Sequence, residues 1–116
     1  MDLTIEMYDS TFLYPKSFVN DDELHLFFSL WNNTNAKIIF KGVIAFCFNY
    51  VHCDVIGMKM SDEKSGFFQS ALGYEYEKIP QDHGFCCYEL LDLYDNACIS
   101  VVAKNYQFLT NIVLPE

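Results

Sequence analysis

The sequence predicts a mainly β domain: an antiparallel curled sheet or sandwich built from hairpins, with one or two short helices at most. Three observations point there. Apolar and polar residues alternate with a period of two over most segments, the pattern of a strand with one buried face. Clusters of Asn and Asp separate those segments where a chain reverses. The composition, 52% hydrophobic and 17% aromatic with only 20% charged, supplies enough apolar surface to offset the entropy of ordering. At 116 residues, with no linker, repeat or low-complexity run, residues 1–116 form a single globular domain.

The elements follow in order. Leu3, Ile5 and Met7 alternate with Thr4, Glu6 and Tyr8 as a first strand. The window Asp9 to Asp22 has one of the two best helical patterns; Asp62 to Leu72 has the other. Leu24, Leu26, Phe28 and Leu30 alternate with His25, Phe27, Ser29 and Trp31. Asn32-Asn33-Thr34-Asn35 makes a turn, and Ala36–Lys41 and Val43–Val51 continue the hairpin with Gly42 as a bulge. Asp54–Met60 reads as a further strand, Ser61–Gly66 as a polar loop, and the alternation from Leu72 to Ile79 as another strand. Cys86–Tyr94 and Ala97–Lys104 flank Asp95-Asn96, a pair suited to a tight two-residue turn. The predicted buried face comprises Leu24, Leu26, Phe28, Leu30, Ile38, Phe40, Leu91, Leu93, Ile99 and Val101.

Charge narrows the functional classes. Sixteen acidic residues against seven basic ones leave a net charge of −9, which disfavours nucleic acid and anionic membranes as direct ligands. All seven basic residues are lysines, so no guanidinium fork is present to grip phosphate. The longest apolar run, Val43–Phe48, falls far short of the roughly 20 residues that span a bilayer. Five cysteines at irregular spacing, with no apolar leader before them, predict reduced thiols and a cytoplasmic location.

Candidate chemistry is sparse. His52-Cys53 and His83 with Cys86-Cys87 offer imidazole and thiolate, but zinc needs four converging ligands. Adjacent cysteines on a strand point to opposite faces. A thiol nucleophile at Cys86 or Cys87, with His83 as base and Asp82 orienting it, has no arginine or helix N-terminus in the sequence to lower its pKa. Glycines form no phosphate loop. The expectation is a non-enzyme without cofactor or metal, with metal-dependent or thiol chemistry centred on His83, Cys86 and Cys87 as the alternative.

Segments Leu-His-Leu-Phe-Phe (24–28), Ile-Ile-Phe-Lys-Gly-Val (38–43), Tyr-Glu-Leu-Leu-Asp-Leu-Tyr-Asp (88–95) and Ile-Ser-Val-Val-Ala-Lys-Asn-Tyr (99–106) set a strand rhythm over residues 3–108. That rhythm resembles the small acidic immunity proteins of bacterial polymorphic toxin and contact-dependent growth inhibition systems. The resemblance implies a stoichiometric inhibitor of a cognate toxin domain, often a nuclease with a basic surface. The hydrophobic strands themselves predict a monomer or a weak homodimer joined through a strand edge. The residues themselves place the partner-binding surface in 61–85, where strand regularity is lowest and acids mix with aromatics. Asp62, Glu63, Glu75, Glu77 and Asp82 are the expected charged contacts, and Phe68, Tyr74 and Tyr76 the apolar anchors.

Overall fold

The computed structural model describes residues 3–49, 54–61 and 65–115. Eight strands form one antiparallel sheet: β1 (Ile5–Phe18), β2 (Glu23–Ser29), β3 (Asn35–Lys41), β4 (Ala45–Phe48), β5 (Asp54–Met60), β6 (Cys86–Leu91), β7 (Ala97–Ala103) and β8 (Asn105–Thr110). A short 3-10 helix (Val19–Asp21) follows β1, and the helix α1 (Gly66–Glu75) precedes β6. The strand order is β4-β7-β6-β5-β1-β2-β3-β8. No helix among the described residues is long and apolar enough to cross a membrane.

The sheet curls because two of its strands are bent in half. β3 and β4 are one run of chain broken at Gly42, and β7 and β8 are one run broken at Lys104. The breaks face each other: Lys104 N–H donates to the Lys41 carbonyl at 2.9 Å, and Ile44 N–H to the Val102 carbonyl at 3.0 Å. Gly42 is therefore a corner, not a bulge within one hairpin strand. Its φ of +67° and the 2.9 Å that would separate a Cβ from Lys104 Cγ both require glycine. Beyond it the chain leaves β2 and pairs with β7 as β4. The corner brings the two ends of the strand order together.

The interior of the curl is the main core. Alternate residues of β2 and β3, Leu24, Leu26, Phe28, Ile38 and Phe40, meet Ile99 and Val101 of β7, as expected from the period of two. Rings on unpaired strands touch across it: Phe12 of β1 lies 5.8 Å from Phe48 of β4, and Phe40 of β3 5.5 Å from Tyr88 of β6. Leu30 is only half-buried, and Leu93 is 61% exposed. Leu93 sits in a five-residue loop, not in a strand. There Asp92 Oδ1 accepts from the N–H groups of Tyr94 at 2.9 Å and Asn96 at 3.0 Å, and Asp95 adopts φ 62°. This side-chain-organised loop replaces the expected two-residue turn.

The window Asp9–Asp22 is extended through Phe18 instead of helical. Its register against β5 shifts between Glu6 and Ser10, and against β2 between Phe12 and Tyr14. Each shift changes the phase of the alternation, so neither period survives in the sequence. Pro15 is tolerated because residues 12–18 pair on the β2 side alone. The alternating segment Leu72–Ile79 is the end of α1 followed by coil. Ser65 caps the helix, accepting from Phe68 N–H at 3.3 Å, and Phe68, Ala71 and Leu72 form one buried face.

Two substitutions test this packing by chemical denaturation. Phe28 is fully buried, and Phe28→Ala should lower stability by about 3–5 kcal/mol. Gly57→Ala would place a Cβ 2.3 Å from the Ile5 carbonyl oxygen; it should cost about 1–3 kcal/mol by forcing β1 off β5.

Candidate functional site

The helix α1 lies on the outer surface of the curl. Phe68, Ala71 and Leu72 pack against Phe85, Cys87 and Val102, with Ile44, Ala45, Phe67 and Tyr76 at the margin. This second core is distinct from the interior one. Burying that face of the helix turns the other outward, and Tyr74 is 92% exposed beside exposed Glu75. Tyr76 ends the helix, its N–H donating to the Leu72 carbonyl at 3.0 Å, and its half-buried ring stands edge-on to Phe85 at 6.4 Å. Glu77 and Asp82 are exposed in the coil that follows. The chain re-enters the core at His83, whose ring lies 5.8 Å from Phe68 and 6.1 Å from Phe85.

Tyr74, Glu75 and Glu77 are thus exposed together at the end of α1, a ridge of chain whose return loop carries exposed Asp82. Phe68 does not belong to it. At 1% exposure it is the hydrophobic foot of α1, because its position on the helix faces the sheet. Asp62 and Glu63 lie outside the described residues. Among the described residues the one close contact between a carboxylate and a basic side chain joins Glu23 to the His25 ring, at 3.0 Å, so the ridge carboxylates hold no such partner.

The thiols do not converge. Cys86 points inward against the main core and Cys87 outward under α1, as adjacent residues on a strand must. Burial above all, with the charge of Glu89 adding to it, pushes the Cys87 thiol up to about 11, against the opposing hydrogen bonds of Ser61 and Ser65. It is a protonated thiol at neutral pH, not an activated nucleophile. The Tyr88 hydroxyl is raised too, first by burial and then by Cys86. His83 Nδ1 accepts the Phe85 N–H at 2.9 Å, which engages that nitrogen's lone pair within the chain. No group of three or more metal-ligating side chains gathers among the described residues; His52 and Cys53 lie outside them.

Sequence reasoning passed over Tyr8. It is 59% exposed and stands edge-on, 5.9 Å between centroids, to Trp31, which is 61% exposed. The two rings line an open cleft of about 410 Å³. A smaller one of about 210 Å³ runs from Ser17 and Phe18 to Phe46 beside the Gly42 corner. The available signal for Tyr8 was its outward place in the alternation with Glu6, next to the polar pair Asp9-Ser10 where the alternation ends. No family model, curated protein or solved structure matches the chain.

The Cys87 thiol gives a pH test. Its proton is held more tightly in the folded protein than in the unfolded chain, so its contribution is complete below the ordinary thiol range. That contribution is lost as the pH rises from about 9 towards about 11. Denaturant titrations across that interval should show falling stability. Cys87→Ala should start lower but lose less over the same interval, the residual slope coming from Tyr88.

Proposed function

We propose that this chain is an immunity protein: a cytoplasmic, non-enzymatic binding domain that neutralises the basic toxin domain of a bacterial effector by covering it. The observation that carries the reading is the ridge at the end of α1. Tyr74 is almost wholly exposed, it is followed by the carboxylates of Glu75 and Glu77, which no described cation pairs, and it stands on a helix whose other face is locked into a core. An exposed tyrosine on a rigid support loses little conformational entropy on binding, and tyrosine is enriched among the strongest interface contacts. The uncompensated net charge of −9 steers a basic partner towards the protein and speeds association.

Division of labour among the residues follows from their burial. Glu75, Glu77 and Asp82 act at the rim, where charges raise the association rate in a salt-dependent manner. Tyr74 and the exposed part of Tyr76 act as apolar anchors and govern dissociation. Neutralisation by coverage requires no cofactor, no metal and no contact of the inhibitor with nucleic acid or membrane. The strand rhythm shared with immunity proteins supports the same reading.

Co-expression with the toxic domain of a genetically adjacent effector tests it. The wild-type chain should restore growth and bind the toxin stoichiometrically. The double reversal Glu75→Lys/Glu77→Lys should slow association by roughly tenfold at low ionic strength, with a smaller effect at high salt. A wild-type chain that neither binds nor protects overturns the immunity reading. Protection that is indifferent to the reversal moves the interface elsewhere on the surface.

A further inference from the structure

The first strand carries a costly irregularity. Between Glu6, opposite Gly57, and Ser10, opposite Val55, three residues of β1 face a single residue of β5. Tyr8 and Asp9 absorb the excess with φ of 50° and 64°, the left-handed region that side-chain-bearing residues enter only at a cost. The core is undisturbed on either side. Met7 and Ser10 remain buried, and the Ser10 hydroxyl donates to the Met7 carbonyl across the bulge. Tyr8 points outward in phase with Glu6, and the bulge turns Asp9 outward beside it. Tyr8 meets Trp31 in the turn after β2, and the two rings line the open cleft.

The chemistry around that cleft favours a cation. The Tyr8 hydroxyl donates to Glu6 Oε2 at 2.8 Å, fixing a carboxylate beside the aromatic pair, and the exposed Asp9 adjoins it. Cations are attracted to the faces of aromatic rings, most of all tryptophan. Three of the chain's lysines lie near ring faces in this way, Lys16 by Phe18, Lys37 by Phe27 and Lys104 by Phe85. Among the described residues, neither Tyr8 nor Trp31 has such a partner. In a chain of net charge −9, this aromatic pair with its carboxylates complements a positive ligand.

We propose that Tyr8 and Trp31 form a receptor for a lysine or arginine side chain of a basic protein segment, with Glu6 and Asp9 supplying the countercharge. The site is separate from the α1 ridge and does not depend on the partner being a toxin. The rings hold the cation by its charge and the side-chain stem by apolar contact.

Trp31 is the only tryptophan, so its fluorescence reads the cleft directly. The intact protein is titrated at low ionic strength with triarginine, trilysine and, as a neutral control, triglutamine. Triarginine and trilysine should produce saturable changes in emission, and triglutamine none. In calorimetric titrations with triarginine, Trp31→Ala should abolish binding and Glu6→Gln should raise Kd at least fivefold. Asp21→Asn, a matched loss of one charge beyond the far end of β1, should leave Kd within twofold. Tyr8→Gly removes the ring while suiting the left-handed backbone, so it should keep the thermal midpoint and still lose binding. The proposal is overturned if the cationic peptides give no saturable response, or if triglutamine binds equally well. It is likewise overturned if Asp21→Asn weakens binding as much as Glu6→Gln, or if a folded Tyr8→Gly binds like the wild type.

Discussion

The corner at Gly42 and Lys104 is the constraint on which the rest of the structure depends. Without it, residues 35–48 and 99–110 would be two long straight strands, and the sheet would stay open with its apolar face in water. Bending both at the same level, and holding the bends together with the Lys104–Lys41 and Ile44–Val102 backbone hydrogen bonds, folds the sheet over its own inner face. The aromatic contacts from Phe12 to Phe48 and from Phe40 to Tyr88 exist only because strands far apart in the order are brought face to face. Sheet edges are chemically exposed groups that favour pairing with other chains, and the curl reduces what this protein presents.

The second core follows from the first. Once β4, β7 and β6 lie side by side, Ala45, Val102 and Cys87 on their outer surface make an apolar patch that α1 covers with Phe68, Ala71 and Leu72. Residues 76–83 must then return from the end of the helix to β6, and the His83 ring, stacked on Phe85, fixes where they re-enter. The exposed ridge of Tyr74, Glu75 and Glu77 is a consequence of that geometry. The residues most open to a partner are those that the helix and its return have no means of burying.

Charge and aromatic surface are unevenly distributed. On the outer side of β1 and its neighbours, Tyr14 stacks on Phe27 at 4.9 Å, and Lys16 and Lys37 lie near Phe18 and Phe27. The long lysine stems shield those rings while the ammonium groups stay in water. Tyr8, Trp31 and Tyr74 are left uncovered, and carboxylates neighbour Tyr8 and Tyr74 in sequence. An acidic protein whose few cations shield its own rings leaves its remaining aromatics facing outward within a negative field.

What the sequence determined by itself was the local geometry. The alternation in 24–28 and 36–40 put Leu26, Phe28, Ile38 and Phe40 inside, and the adjacency of Cys86 and Cys87 sent their side chains to opposite faces. These outcomes depend on the two-residue repeat of an extended chain, which holds wherever the strand is placed. Tertiary structure alone decided the rest. The bulges at Tyr8–Asp9 and near Leu13 erased the period of β1, so an extended segment carried a helical signature. Phe68, Ala71 and Leu72 lie in the helical window Asp62–Leu72 that the sequence already offered, but only their burial on the sheet carried the helix into the alternating segment Leu72–Ile79. Phe68 consequently became a foot of the helix instead of an anchor for a partner, and Tyr8, outward already by its strand phase, met Trp31. Which aromatic faces water depends on which strands meet, and that pairing joins residues such as Gly42 and Lys104 whose separation along the chain leaves no trace in either neighbourhood.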